Sequence, residues 1–201
     1  GTLIGRPKSA TFRTADVVGL DTMAFVANTA YTKCHDDKDK EVFNIPDYIQ
    51  KMLDNKWLGQ KTKQGFYKKI DKGVIHSLDL TTLEYKPMIK KRYDAFALAK
   101  ERTYLKDRLN VIVRSDDVAG DFLWNCFSRT LCYASDLVGS IADDVISIDN
   151  AMKWGFGWEF GPFEIWDMIG LSSSIKRMEL NNKIIPKWIK EMQSIENASF
   201  Y

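Results

Sequence analysis

The stretch "GWEFGPFEIWDMIGLS" (Gly157–Ser172) decides the reading of this chain, because an earlier version of it, "GRPKSATFRTADVVGLD" (Gly5–Asp21), precedes it. Both run from a glycine-containing loop through a short apolar-periodic segment to an Asp and a Gly-Leu stop. Ala15-Asp16-Val17-Val18-Gly19-Leu20 aligns without a gap on Trp166-Asp167-Met168-Ile169-Gly170-Leu171. In the later version Pro162 suits the first turn of a helix, Phe163, Trp166 and Ile169 recur at helical spacing, and Gly170 marks the stop. Its twin ends at Gly19.

The match continues outward in the same order, which argues for an internal duplication. "IPDYIQKM" (45–52) aligns with "IPKWIKEM" (185–192), and Gly65-Phe66-Tyr67 aligns with Ser199-Phe200-Tyr201. The offset between copies falls from 151 to 140 to 134 residues, chiefly because the first copy carries the insertion "TKCHDDKDKEVFN" (32–44). Residues 1–87 are therefore expected to form a first helical repeat that lacks its first long helix and ends in a β-hairpin. Residues 88–114 are expected to form a bridging helix, and 115–201 a second repeat cut short at its C-terminal motif. Both chain ends fall inside the pattern, and the start "GTLIGRPK" has neither an initiating Met nor the regions of a signal peptide. The expectation is a piece of a larger enzyme.

Mostly helix is predicted. Leu123, Phe127, Leu131, Ala134, Val138 and Ile141 recur at spacings of three and four, one apolar face on a helix of about six turns. Ser147 is placed to cap a short helix over "IDNAMKW". "GFYKKIDKGVIHSLDLTTLEYKP" (65–87) turns to β-type composition around Asp71-Lys72-Gly73 and reads as a β-hairpin ended by Pro87. Beyond it, Leu98, Leu105, Leu109 and Ile112 predict the bridging helix. Without a long helix over it, the first copy should bury Phe12, Val18, Met23, Phe25 and Val26 against the Phe122–Ile141 segment or a partner chain.

Composition excludes several function classes. The 201 residues are 45% hydrophobic and 12% aromatic, enough for a sizeable core. The 29 basic and 27 acidic side chains leave a formal charge of +2, so no global field points to nucleic acid or an acidic membrane. No apolar run nears the roughly 20 residues of a membrane helix. Cys34, Cys126 and Cys132 are unclustered and odd in number, as suits a reducing compartment, and a cytoplasmic protein is expected.

"IGRPKSATFRTADVVGLDTMAFVA", "LGQKTKQGFYKK" and "ISIDNAMKWGFGWEFGPFEIWDMIGL" together resemble the tandem C-terminal helical domains of the 3-hydroxyacyl-CoA dehydrogenase family. The resemblance implies a mainly α fold of two tandem repeats, like the C-terminal domain of 6-phosphogluconate dehydrogenase, with one β-hairpin between them. Lys61-Thr62-Lys63-Gln64-Gly65-Phe66-Tyr67 matches the family's Lys-Thr-Gly-x-Gly-Phe-Tyr with Lys63 in place of Gly. Phe122-Leu123-Trp124-Asn125-Cys126 keeps the Phe and Asn of Phe-x-x-Asn-Arg and replaces its Arg, and Arg6 to Arg13 replaces the commoner Gly-Pro-Phe-Glu loop. What the resemblance implies is the substrate-binding and dimerisation part of an enzyme that oxidises (3S)-3-hydroxyacyl-CoA to 3-ketoacyl-CoA with NAD in fatty acid β-oxidation. An acyl-CoA substrate and a homodimer are the implied partners. The family's catalytic His/Glu pair lies on a dinucleotide-binding domain that this chain does not match, so no catalytic residue, no cofactor and no activity are expected of the chain alone. A non-catalytic helical oligomerisation module, and the helical domain of another β-hydroxy-acid dehydrogenase, stay open as alternatives.

The residues themselves agree with a domain that does not act alone. Gly155-Phe156-Gly157-Trp158-Glu159-Phe160-Gly161 is the nearest thing to a dinucleotide turn, but a capped helix, not a buried strand, precedes it. Cys34-His35-Asp36-Asp37 reads as a solvated loop, since adjacent side chains diverge and no second ligand cluster exists; no metal is expected. Lys90, Lys91, Arg92, Lys100, Arg102, Lys106, Arg108 and Arg114 could meet coenzyme A phosphates, yet Asp94, Glu101 and Asp107 are interleaved as on an exposed helix face. The candidate substrate-binding set is Arg6, Lys8, Ser9 and Thr11, two cations and two hydroxyls just before a helix N-terminus, where an anion is favoured. Ser9 reads more simply as a plain N-cap. Asp16 and Asp167, present in both copies, predict a structural bond common to both.

Overall fold

A computed structural model describes residues 1–89 and 91–201. The chain divides into two compact units, one made of Gly1–Lys8 with Lys91–Tyr201 and the other of Ser9–Lys90. Among the described residues it is mainly helical, with ten α-helices and one small antiparallel sheet.

In the unit Ser9–Lys90, α1 (Ala10–Val18) and α2 (Leu20–Lys33) are separated by Gly19 alone. Gly19 sits at φ 100°, a left-handed angle that glycine tolerates without strain, so the chain turns there in a single residue. After the insertion, α3 (Asp47–Asp54) leads into a sheet of β1 (Tyr67–Lys69), β2 (Ile75–Leu78) and β3 (Tyr85–Pro87). Ala15, Leu20, Ile49, Met52, Phe66 and Leu78 form the core, with Met23, Tyr48, Trp57 and Tyr85 packed on it.

The expected hairpin is thus a three-stranded sheet in the order β1-β2-β3. Ser77 on the central strand pairs with Tyr67 on one side and Lys86 on the other. The third strand is made possible by Asp79, whose Oδ1 accepts from the backbone N–H of Thr81 and of Thr82, both at 3.0 Å. Pro87 lies inside β3 opposite His76, as an edge strand permits. The apolar face of the first repeat also departs from expectation. Met23 packs on the core of its own unit, while Phe12, Val18, Phe25 and Val26 remain 43, 53, 73 and 60% exposed, so the unit Ser9–Lys90 does not itself cover them.

The other unit opens with a 3-10 turn at Thr2–Ile4 and continues through α4 (Asp94–Lys100), α5 (Leu105–Val113) and α6 (Val118–Asp136). The expected bridging helix is therefore two helices. Leu98, read as part of one apolar face with Leu105, Leu109 and Ile112, is exposed where those three are buried, because the chain breaks before Leu105 and reverses its face. Asp117 ties the pieces together: Oδ1 accepts from Gly120 N at 2.8 Å to cap α6, and Oδ2 accepts from Ala95 N at 3.1 Å on α4. The long helix also ends sooner than its spacing predicts, at Asp136, leaving Ile141 exposed in the following turn.

Four helices complete this unit: α7 (Val145–Phe156), α8 (Pro162–Ile169), α9 (Leu171–Leu180) and α10 (Lys187–Met192). Asp144, not Ser147, caps α7, its Oδ1 accepting from Ser147 N at 2.7 Å. Both are good capping residues, but the helix begins at Val145, so Asp144 takes the N-cap position and Ser147 becomes the residue whose N–H is capped. The short α8 keeps its predicted start and stop and is the centre of the core. Phe163, Ile165, Trp166 and Ile169 are at most 2% exposed, packed with Phe127 and Leu131 of α6 and Ile175 and Met178 of α9. Burying each such side chain contributes about 1.5–3 kcal/mol.

Candidate functional site

The residues shared by the two copies do structural work. Asp16, at the end of α1, accepts from Phe66 N at 2.8 Å and Tyr67 N at 2.9 Å. Asp167, near the end of α8, accepts from Phe200 N at 3.0 Å and Tyr201 N at 3.1 Å. In each copy the same carboxylate thus holds the same aromatic pair, across 50 residues of chain in the first and 33 in the second. Burial pushes both carboxyls above the ordinary aspartate range, and the donated N–H groups pull them back. The fit around Asp16 explains Gly65, where a Cβ would fall 2.1 Å from Asp16 Oδ1. Gly65→Ala is expected to cost about 2 kcal/mol by forcing that carboxylate off its donors; a denaturation midpoint equal to wild type would contradict the close fit.

Asp149 is the residue that sequence reasoning missed. It is fully buried within α7. Its Oδ1 accepts from Phe163 N at 2.9 Å, and its Oδ2 accepts from Glu164 N at 3.0 Å and from the Tyr201 hydroxyl at 2.8 Å. It therefore satisfies two of the leading N–H groups of α8, which an α-helix leaves without intrahelical acceptors. Gly161 makes room for it, since a Cβ there would lie 2.4 Å from Asp149 Cα, Cβ and Cγ. Glu164 closes the arrangement, accepting from Gly161 N at 2.7 Å and from Lys153 Nζ at 2.8 Å. Burial raises the Asp149 carboxyl above its ordinary value, and burial beside this carboxylate raises the Tyr201 phenol. The available signal was the Gly161-Pro162 start of α8, which offers no side-chain cap of its own.

The four candidate binding residues are not gathered within either unit. Arg6 and Lys8 belong to the unit of α4–α10, and Ser9 and Thr11 to the unit of α1–α3. The Arg6 guanidinium lies 3.8 Å from the Trp158 ring centroid and 5.7 Å from that of Phe127. Burial lowers its pKa, and its Nε has no hydrogen-bond partner. Lys8 and Thr11 are exposed. Ser9 occupies the N-cap position of α1 but makes no side-chain cap bond; its Oγ accepts from Thr14 Oγ1 at 2.8 Å. Ser9 has helical angles, φ −61° and ψ −29°, in place of the extended backbone from which an N-cap side chain reaches back to the helix.

The remaining candidates keep their plainer readings. Lys91, Arg92, Lys100, Arg102, Lys106 and Arg114 are exposed and Arg108 is half-buried, while Lys90 lies outside the described residues. Cys34 and His35 are exposed, and among the described residues no group of three or more His, Cys, Asp or Glu is placed to hold a metal ion. Gly155–Gly161 runs from the last turn of α7 into α8, with Gly157 as the C-cap at φ 63°. A dinucleotide turn needs a strand on its N-terminal side, so these residues do not fit NAD. Among the described residues no helix is long and apolar enough to cross a membrane.

Residues 2–69 match the sequence model described as 3-hydroxyacyl-CoA dehydrogenase, C-terminal domain. A Bacillus subtilis (strain 168) protein named as a probable 3-hydroxyacyl-CoA dehydrogenase is 52% identical over 201 residues, which is 100% of this chain and 25% of that protein. A Rickettsia felis protein named for a fatty acid oxidation complex trifunctional enzyme is 28% identical over 98% of this chain and 27% of its own length. A Deinococcus radiodurans protein, again named as a probable 3-hydroxyacyl-CoA dehydrogenase, is 42% identical over 34% of this chain and 19% of its own. The chain spans about a quarter of the length of the first two. With a fold of the expected class, a family-domain match over its opening third and 52% identity along its whole length, the chain belongs to the 3-hydroxyacyl-CoA dehydrogenase family.

Proposed function

We propose that this chain is the C-terminal substrate-binding and dimerisation part of an enzyme that oxidises (3S)-3-hydroxyacyl-CoA to 3-ketoacyl-CoA with NAD in fatty acid β-oxidation, in the cytoplasm. The observation that carries the reading is the 52% identity, along all 201 residues, to a protein named as a 3-hydroxyacyl-CoA dehydrogenase. NAD is assigned to a separate dinucleotide-binding domain, because the glycine-rich segment Gly155–Gly161 links two helices. Hydride and proton transfer are assigned to that domain as well.

Acyl-CoA contact is assigned to Arg6, Lys8, Ser9 and Thr11. Lys8 and Thr11 are exposed and free to meet an anionic or carbonyl group, whereas Arg6 stacks on Trp158 and Ser9 is engaged by Thr14. Lys8→Ala should therefore weaken acyl-CoA binding more than Ser9→Ala does. Dimerisation is supported by the exposed apolar side chains Phe12, Val18, Phe25 and Val26, a grouping that a partner surface would cover.

The test is made on the chain itself. Calorimetric titration with acetoacetyl-CoA should give saturable binding, and NADH oxidation with the same substrate should be undetectable. Turnover by the chain alone would overturn the division of labour. Silent titration with a clear oligomer would replace the substrate-binding role by pure assembly, and binding of a sugar phosphate in place of acyl-CoA would point to a different hydroxy-acid substrate.

A further inference from the structure

Ser172 and Lys176 stand one helical turn apart on α9, and Lys190, Gln193 and Ser194 lie one turn apart on α10 and the turn that follows it. These five residues line an open groove of ≈ 470 Å³. Among the described residues neither the Ser172 hydroxyl nor the Lys176 ammonium has a hydrogen-bond or ion-pair partner. Lys190 is held only loosely, 4.0 Å from Glu179, which is also the acidic side chain facing it across the two helices. Ser172 lies in the first turn of α9, a ten-residue helix, where unsatisfied N–H groups and the helix dipole favour negative charge.

The duplication shows that this lining is not something the helical unit needs. The offsets of 151 and 140 residues place Asp21, Phe25, Gln50, Leu53 and Asp54 at the matching positions of the first copy. There the polar groups are satisfied within the unit: Asp21 pairs with Lys61 at 2.5 Å, and Gln50 Nε2 donates to Asp54 Oδ1 at 2.9 Å. The second copy replaces two carboxylates and two apolar side chains with hydroxyls, an amide and a lysine, and places another lysine where the first has Gln50. The resulting groove gathers the Ser172 hydroxyl, the Gln193 amide and two ammoniums from opposite walls, with no arginine in its lining; the Ser194 hydroxyl is spent on its own segment, donating to Glu191 O at 2.7 Å. Ammoniums act as point charges on phosphate, whereas a planar carboxylate is better matched by an arginine fork.

We propose that this groove binds the phosphate group of a small phosphorylated ligand, independently of the acyl-CoA contacts assigned above. The test is an NMR titration of backbone amides of the 201-residue chain, at constant ionic strength, with inorganic phosphate and separately with adenosine 3′,5′-bisphosphate. Saturable shifts confined to residues 171–176 and 190–194 are expected. The double variant Lys176→Gln, Lys190→Gln should weaken binding about tenfold, the combined effect of two exposed charges. Both lysines are exposed, so that variant should keep the wild-type spectrum elsewhere. Tighter binding of the nucleotide identifies a larger phosphorylated ligand, and equal binding identifies free phosphate. Shifts that fail to saturate, that spread over lysines elsewhere in the chain, or that persist unchanged in the double variant would overturn the proposal.

Discussion

Asp149→Ala is expected to destabilise the chain by about 3–4 kcal/mol, because it leaves buried backbone donors without acceptors and removes charge-assisted bonds. The substitution takes away three hydrogen bonds at once, from Phe163 N, Glu164 N and the Tyr201 hydroxyl. Phe163 N is buried, so water does not replace the lost carboxylate oxygen cheaply. Asp149→Asn should recover part of the loss, since one carbonyl oxygen can still accept. Urea denaturation checks this: the alanine variant should lower the midpoint with an unchanged slope. A loss under about 1 kcal/mol would mean that α8 does not depend on this carboxylate.

The same residue makes a prediction about pH. Burial raises the Asp149 carboxyl in the folded state above its ordinary value. Between the ordinary and the raised value the folded chain binds more protons than the unfolded one, so stability falls as pH rises through that window. The contribution is fully present below the ordinary carboxylate pKa and lost above the raised one. Wild type should therefore gain on Asp149→Asn as pH is lowered from neutral through the carboxylate range. Asp117 and Asp144 act in the opposite sense. Backbone N–H donors at helix starts hold both below the ordinary value, so their contribution is present at neutral pH and lost as acid protonates them. Denaturation curves of the Asp149→Asn variant and wild type, measured across that range, isolate the first effect from the second; a gap that narrows in acid would contradict it.

What could be read from the sequence was local. Gly19 and Gly170 announce the ends of α1 and α8 because their φ angles of 100° and 92° suit glycine, and the aspartates before them recur in register. That Asp16 and Asp167 make a structural bond common to both copies followed from the duplication; that the partners are Phe66 and Tyr67 in one and Phe200 and Tyr201 in the other did not. Periodicity was weaker at deciding where a face stops. Leu98 fits the spacing of Leu105 and Leu109, yet the chain turns between them. Val138 and Ile141 continue the spacing of α6 beyond its end at Asp136. The Asp149–Tyr201 bond lay out of reach because its partners are 52 residues apart and, although Tyr201 aligns on Tyr67, Asp149 has no matching position in the first copy to reveal a repeated pair. The candidate binding set was legible as a loop composition, but composition does not say that Arg6 stacks on Trp158.

Phe163→Ala is expected to cost about 3–5 kcal/mol, and Phe12→Ala, at the matching position of the first copy, about 1 kcal/mol. The two phenylalanines occupy the same register of the same helical unit, so local sequence alone assigns them equal weight. Their surroundings differ. Phe163 is fully buried, with Phe200 at 4.9 Å and Trp188 at 6.4 Å between ring centroids, and α6 supplies much of the core around it. Phe12 rests on Phe66 at 4.6 Å and is otherwise 43% exposed. Removing Phe163 opens a cavity that helices on several sides cannot collapse to fill, whereas removing Phe12 takes away one ring contact and surface that water already reaches. Equal losses in dilute solution would show that the first repeat has a covered core after all. A Phe12→Ala cost that grows with protein concentration, from melting curves over a hundredfold range, would instead identify a second chain as the cover, since only association makes stability depend on concentration.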